Sequence, residues 1–429
     1  MLKCGSYEIA ITPKLGAVIP GYFAPRFGKG VKDELYAHAL VLDDGNTTLA
    51  IISMDIIAVS DKMTAVVRDR LNEMTGIPKS NIMVSATHTH TGGTIDFPLY
   101  YAMGDEKVAY YACEQAADAA VMAFNKLAPA KLGYGKAEEW DVGFNRRFIL
   151  KDGTVKTNPG INNPNLDRAA GPIDPDVGVI RIDNEDGSPM AVLVNFANHL
   201  DVVGGEYFCA DYPGEMRKVI RSVLGDIPVL FLNGCCGDIN HFDFWGKHPV
   251  DRPTHYKKLG RILGGDVISI REKIIPTDEV TLASSTETIT GNRRQPSEED
   301  VKWAKEYLAA NPEPSFATDR AYAEAYVELS EKPILTKDFE IQTLKIGDIA
   351  IAALPSETFV EIGLAIKAQS KFENNIVAEL SNGCLGYVAT ALALSQKGGY
   401  ETRLSKYTYM APETADTIID SAVKQINSL

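Results

Sequence analysis

Two histidines stand one residue apart in NIMVSATHTHTGG, Asn81 to Gly93, where an apolar run gives way to small residues and a glycine pair. The chain has only seven histidines, and these are His88 and His90. On extended backbone, side chains i and i+2 share a face, so both imidazoles are expected to aim together. Imidazoles at the end of a buried strand suit a metal site, because neutral imidazole is a common metal ligand. Two hydrogen-bonded structural histidines would give the same spelling.

The pattern of a buried strand with chemistry at its end recurs three times. In NFANHLDVVGGEYFCADYPGE, Asn195 to Glu215, a strand runs into His199, with Asp201 and Asp211 behind it. In VLFLNGCCGDINHFDF, Val229 to Phe244, it runs into Asn233, Gly234 and Gly237-Asp238, with His241 nearby. Such a turn either cradles a ligand with backbone N–H groups or is a tight turn closed by an Asx bond. Asn233, Gly234 and Asp211 are the candidate substrate-binding residues. In IAIAALPSETFVEIGLAIK, Ile349 to Lys367, Glu357 follows the strand. It reads either as a first-turn helix acid or as a metal ligand.

The elements around these residues alternate. Thr47–Ile56, Asn81–Ser85, Val177–Ile182, Met190–Phe196, Pro228–Leu232 and Asn375–Leu380 read as buried strands. Asp61–Met74, Glu106–Leu127, Pro213–Leu224, Tyr256–Ile274, Phe359–Ala368 and Pro412–Ile426 read as helices, and Phe339–Leu354 as a hairpin around Gly347-Asp348. The expected fold is α/β, with mixed β-sheets flanked by helices in one large domain over residues 1–429. A charged helical excursion is expected at about Pro296–Lys332, opened by an N-cap at Ser297 and broken near Pro312. Lys151–Asp176, rich in Asn, Pro, Gly and Asp, reads as a long irregular loop.

Bulk properties narrow the partners. A formal charge of −14 over 429 residues, with no basic run, argues against nucleic acid. No stretch of about 18 apolar residues is present, so no integral membrane association is expected. The opening MLKCGSYEIAITP has no apolar core for a signal peptide, which makes a cytoplasmic location the default expectation. Six cysteines at irregular spacings, without a CxxC pair, read as buried thiols. The expected partner is a small-molecule substrate, and a homo-oligomer is compatible with the composition.

Taken in order, several short motifs resemble those of the neutral, non-lysosomal ceramidases. ATHTHTGG is similar to that family's histidine motif, and Phe144-Asn145-Arg146 to its Asn-Arg-Ser motif. LPSETF is similar to its Pro-Gly-Glu motif, NGCLGYVAT to its Tyr-Ile/Val-Thr-Thr segment, and Gly399-Tyr400-Glu401 to its later Tyr-Glu pair. The resemblance extends from Ala10-Ile11-Thr12-Pro13 to about Glu401.

The resemblance implies one catalytic Zn²⁺ per chain, held by His88, His199, Glu357 and Tyr387. It further implies a hydrolase in which metal-bound water attacks an amide (N-acyl) bond. His90 or Asp238 would move protons, and Arg146 and Tyr400 would contact the substrate's polar group or the developing oxyanion. The position matched to the family's serine is Gly234, and no serine is present in that turn, so direct attack by water is expected. No C-terminal immunoglobulin-like domain is expected. The acidic composition points to a soluble, polar substrate. Hydrolysis of an ester, lactone or sugar-derived bond, and a zinc-containing binding protein without catalysis, are the alternatives.

Overall fold

Apolar residues that alternate along the strands are buried on both faces, because each sheet has a neighbour on either side. The computed structural model describes residues 1–429. The larger sheet contains β1 (Lys3–Ala10), β2 (Tyr36–Asp43), β3 (Thr48–Met54), β4 (Ile82–Ala86), β5 (Ala128–Glu138), β6 (Asp176–Asn184), β7 (Pro189–Phe196) and β8 (Val229–Asn233). Their spatial order is β8-β7-β6-β5-β1-β2-β3-β4. The second sheet has β9 (Leu282–Asn292), β10 (Thr336–Ile346), β11 (Ile349–Ala353) and, beyond the short β12 (Glu357–Thr358), β13 (Asn374–Ala378). A last short strand, β14 (Tyr387–Val388), pairs with β12 alone.

Both sheets are mixed. Three parallel pairs, β3 with β4, β7 with β8, and β11 with β13, sit among antiparallel neighbours. Parallel neighbours need a crossover, and a helix supplies each one. These are α1 (Asp61–Thr75), α3 (Asp211–Leu224) and α7 (Val360–Gln369). α2 (Glu106–Asn125) joins β4 to β5, and α4 (His255–Arg271) lies beside α3.

The two sheets face each other. Leu40, Leu42, Ile51, Leu193 and Leu230 of the first meet Ile346, Ile349, Ile351 and Ile376 of the second in one buried cluster. Full burial of each such side chain is worth about 1.5–3 kcal/mol relative to exposure. The alternate residues face outward onto helices. Val41 and Ile52 share a cluster with Val67 of α1 and Ala116 of α2, while Val192 and Val194 pack with Ile220 of α3 and Leu263 of α4. On the far side, Ala352 and Val377 meet Ile362 of α7 and Ile418 of the closing helix α8 (Thr414–Ser428). The result is four layers, helix–sheet–sheet–helix, the α/β class with mixed sheets that the sequence predicts.

The helical excursion forms α5 (Glu298–Ala310) and α6 (Thr318–Glu331), with a capping box between Ser297 and Asp300. Its buried residues Ala304, Tyr322, Tyr326 and Leu329 join the main cluster and make no core of their own. Lys151–Asp176 is less irregular than its composition suggests. Val155–Thr157 and Leu166–Ala169 pair on either side of Arg147–Leu150 in a small sheet. All six cysteines are free, and no helix is long and apolar enough to cross a membrane.

Candidate metal centre and its cavity

The three parallel pairs carry their carboxyl ends to one place, where ligands collect in α/β sheets. Past β4 the strand geometry stops at Ala86. The expectation that extended backbone aims His88 and His90 together is therefore corrected. His88 has φ +75°, in the left-handed region, which costs a non-glycine residue of order 1–3 kcal/mol. Its N–H donates to Ile56 O at 3.0 Å, and the His90 N–H donates to Leu200 O at 3.0 Å. The two histidines are thus stitched to the ends of different strands, and their rings still meet edge-on at 4.9 Å.

His88 Nδ1 lies 2.8 Å from Ile57 O, and His199 Nδ1 lies 3.3 Å from Cys236 O. A carbonyl can only accept, so each Nδ1 carries the proton and each Nε2 presents a lone pair. Those two Nε2 atoms face each other at 3.1 Å. Glu357 Oε2 is 3.3 Å from the first and 3.8 Å from the second, and this buried oxygen has no hydrogen-bond partner. Three lone-pair donors turned on one point repel unless a cation sits among them. Zinc bonds of about 2.0–2.2 Å in a tetrahedron set donors about 3.3–3.6 Å apart, close to the triangle observed. The residues therefore fit a divalent metal. His90 also brings a ring nitrogen within 4.8 Å of the other two imidazoles, so a buried three-histidine group able to hold a metal ion is present.

Burial opposes charge on both Glu357 and His88. Attraction between them prevails, with help from the Tyr407 and Tyr387 hydroxyls on Glu357. The Glu357 carboxyl is held down to about 2 and His88 is raised. Burial first, then the neighbouring charges of Arg146 and His88, push His199 and His90 well below the ordinary histidine value, so both stand neutral.

Glu357 and Tyr387 arrive together because β12 and β14 pair in register, residue against residue. Tyr407 Oη donates to Glu357 Oε1 at 2.5 Å and fixes that carboxylate. Arg146 is buried behind Tyr387. Its Nε donates to Glu401 Oε1 at 2.8 Å, and its Nη2 to Gly237 O at 2.8 Å and Tyr387 Oη at 3.2 Å.

Glu379, at the carboxyl end of β13, is wholly buried below the centre. Its oxygens accept from Cys236 Sγ at 2.9 Å, Cys236 N at 3.0 Å and Thr358 N at 2.9 Å. It thus ties the carbonyl that orients His199 to the neighbour of Glu357. Burial pushes its carboxyl up to about 7.

A cavity of about 230 Å³ opens onto the centre. His90, His199, Glu357, Tyr387 and Tyr400 line it, together with Tyr22, Phe23, Tyr100, Asp201 and Tyr407. Five expected residues outside the donor cluster are not on the cavity wall. Asp238 accepts from Val360 N at 2.9 Å and Asn145 Nδ2 at 2.7 Å, so both of its oxygens are engaged away from the cavity. Asp211 accepts from the N–H groups of Val202 and Val203 at 3.0 and 2.8 Å and shapes their loop. Asn233 and Gly234 are packed behind the wall. Arg146 touches the cavity only through Tyr387 and Tyr400, whose ring centre is 5.2 Å from the guanidinium carbon.

Gly234 is glycine for want of space. A Cβ there would stand 2.8 Å from Ala197 Cβ and 2.9 Å from Ala197 Cα. Gly234→Ser is therefore expected to destabilise the protein by about 1–3 kcal/mol, as overpacking does, without adding a nucleophile. Chemical denaturation measures the loss; an unchanged midpoint would show that the turn has room.

Fold and centre together define an α/β protein with a buried donor cluster where three parallel crossovers end. Residues 8–204 match the family model described as neutral/alkaline non-lysosomal ceramidase, N-terminal. Over that region the chain is similar to the neutral ceramidases, in line with the resemblance of its motifs. Neutral ceramidase B and neutral ceramidase A of Dictyostelium discoideum are 27% identical over 190 residues and 28% identical over 208 residues. Those matches cover 42% and 46% of this chain but 25% and 28% of the relatives, so the matched region spans about a quarter of their length. The crystal structure of neutral ceramidase from Pseudomonas aeruginosa superposes with a TM-score of 0.75 at 16% identity, covering 100% of this chain and 74% of that one. A ceramidase complexed with C2 gives a TM-score of 0.76 at 16% identity, with coverage of 100% and 75%. These structures share the fold.

Proposed function

We propose that the protein is a zinc-dependent hydrolase of an amide (N-acyl) bond in a small polar substrate. One observation carries the reading: the three lone-pair donors of His88, His199 and Glu357 converge on one buried point beside a cavity that His199 and Glu357 line. Tyr387, paired with Glu357, completes the donor set. A bound divalent metal supplies Lewis acidity, polarising a carbonyl and bringing the pKa of water toward about 7.

The chain's own residues have separate tasks. Ile57 O and Cys236 O hold the two imidazoles in the tautomer that leaves Nε2 free. Tyr407 holds Glu357 by its other oxygen. His90 lines the cavity with no hydrogen-bond partner on either ring nitrogen, which leaves it free to meet the reacting water or the leaving amine. Tyr400 lines the same space, and its hydroxyl can donate to a carbonyl oxygen as charge develops on it. Arg146 acts by positioning Tyr387.

Elemental analysis of the purified protein beside His88→Ala tests the reading, followed by panels of acyl amides, esters and glycans. Near one zinc per wild-type chain, almost none in the variant, and turnover of amides are expected. No metal in either protein after zinc is supplied would overturn the proposal. A second result is expected one layer out. Glu379→Ala should weaken metal affinity by about 10–100-fold, as loss of a ligand's supporting group typically does. Competition with a chelator measures it, and an unchanged affinity would leave Glu379 a packing residue only.

A further inference from the structure

His88 and His199 each fix their ring by a bond from Nδ1 to a carbonyl. His90 has no such tie. Neither of its ring nitrogens has a hydrogen-bond partner, although the residue is only 8% exposed. Its ring lies 4.9 Å from that of His88 and 5.1 Å from that of His199, so a modest turn of the side chain changes which neighbour it meets. The orientation of this imidazole therefore depends on how its main chain is held and on what presses against it.

The main chain is gripped from both sides. The His90 N–H donates to Leu200 O at 3.0 Å, and the His90 carbonyl accepts from Arg26 Nη2 at 2.6 Å. The same nitrogen donates to Pro20 O at 2.7 Å, and Nη1 donates to Gly205 O at 2.9 Å. One guanidinium thus joins three segments around the cavity: the turn after Ile19, the histidine turn and the loop that follows His199. Arg26 is itself placed by a short ribbon in which it pairs with Ile19, so it reaches back over the turn that its own ribbon closes. That turn presses on the imidazole. Gly21 has φ +111°, and a Cβ there would stand 2.8 Å from His90 Nδ1. The centre of the Tyr22 ring lies 3.8 Å from Arg26 Cζ, and the Tyr22 hydroxyl donates to Asp201. Arg26 is 9% exposed, and Pro20 and His90 are buried, so removal of the guanidinium leaves carbonyls inside the protein short of a donor.

We propose that Arg26 is the positioning residue of His90, holding its main chain and the turn at 20–22 so that the imidazole faces the cavity. The role rests on the hydrolase reading for its use, since there His90 meets the reacting water or the leaving amine. Arg26 does not line the cavity, so it acts only through the residues it holds. Arginine suits the task because its donors are fixed in one plane and serve several carbonyls at once. Lysine is a point donor on a flexible stem and cannot hold the same three.

Proton–carbon NMR of the histidine rings, on the full chain supplied with zinc, tests this without requiring turnover. The His90 signal is assigned among the seven histidines by comparison with His90→Gln. In Arg26→Ala it is expected to move or split, while the signal of the remote His38 stays in place. Millimolar guanidinium should restore it, and the same concentration of ammonium should not. Arg26→Lys keeps the cation and the stem, so it carries the test if the alanine variant fails to fold, and its His90 signal should also move. An unmoved His90 signal in the folded variants would overturn the proposal. So would one that moves together with the His38 signal and does not return with guanidinium, since that marks a general loss of structure. On the hydrolase reading, kcat for an acyl p-nitroanilide should fall by about 100-fold in Arg26→Lys at unchanged KM, the effect of a misplacement of about 1 Å. A moved signal in a protein that turns over no amide sinks the hydrolase reading and leaves the hold on His90 standing. Full turnover by the variants with an unmoved signal does the reverse.

Discussion

Replacing Glu357 by alanine is expected to take the protein from near one metal ion per chain to near none, and hydrolytic activity with it. Glu357 is the one carboxylate in the donor triangle, and its Oε2 is aimed at both Nε2 atoms with no other partner. Without it, two neutral imidazoles and a neutral phenol remain, and burial of a dication among them is uncompensated. The alanine also strands the Tyr407 hydroxyl, whose acceptor is Glu357 Oε1. Glu357→Gln makes the sharper comparison, since it keeps an oxygen donor of the same shape and removes the charge. Metal bound per chain in the alanine, glutamine and wild-type proteins separates the contribution of charge from that of reach. Full metal and full activity in Glu357→Ala would remove this site from consideration.

The second large effect is expected at Arg146. Arg146→Ala should cost about 3–5 kcal/mol of stability, the range for breaking a buried ion pair from one side. Its partner Glu401 has no exposure, and its remaining side-chain bond is from Thr157 at 2.6 Å, so a carboxylate would be left in the core. Gly237 O and Tyr387 Oη would also lose a donor. The double variant Arg146→Met with Glu401→Leu removes both charges and is expected to recover most of that stability, because apolar replacements of a buried pair are often neutral or better. Activity should stay low in the double variant, since nothing then fixes Tyr387. Urea midpoints and turnover on the same preparations separate the two roles. Recovery of activity along with stability would mean that Arg146 serves the fold alone.

How far the sequence revealed this site depended on chain distance. His88, His90, His199 and Glu357 were legible because each follows an apolar strand, a pattern carried by a few consecutive residues. Glu379 follows a strand in the same way and would have been found by the same rule; its acid merely reads as an ordinary strand terminus. Tyr387 and Arg146 came from resemblance, since a lone Tyr or Arg carries no local signal. Tyr407 and Glu401 lie in irregular segments, and their roles exist only through partners 50 and 255 residues away. The turn at Asn233-Gly234 misled for a related reason. A turn spelled to cradle a ligand and one packed against Ala197 look alike until the neighbouring strand is in place. The mixed α/β class was readable from periodicity, but β1, β5 and β9 were not, because their half-polar patterns gain meaning only beside their neighbours.

The delivery of the centre by three separate crossovers has a consequence for how the protein acquires it. His88 and His199 are 111 residues apart, and the Arg146–Tyr387 contact spans 241. Contacts between such remote residues form slowly, since loop closure must precede any reward. Each crossover can assemble locally first. The donor triangle then closes only when both sheets have docked, which makes it a late event on the folding path. On the proposed reading, an ion held by this triangle would bind the closed molecule, and its uptake during refolding would report that closure.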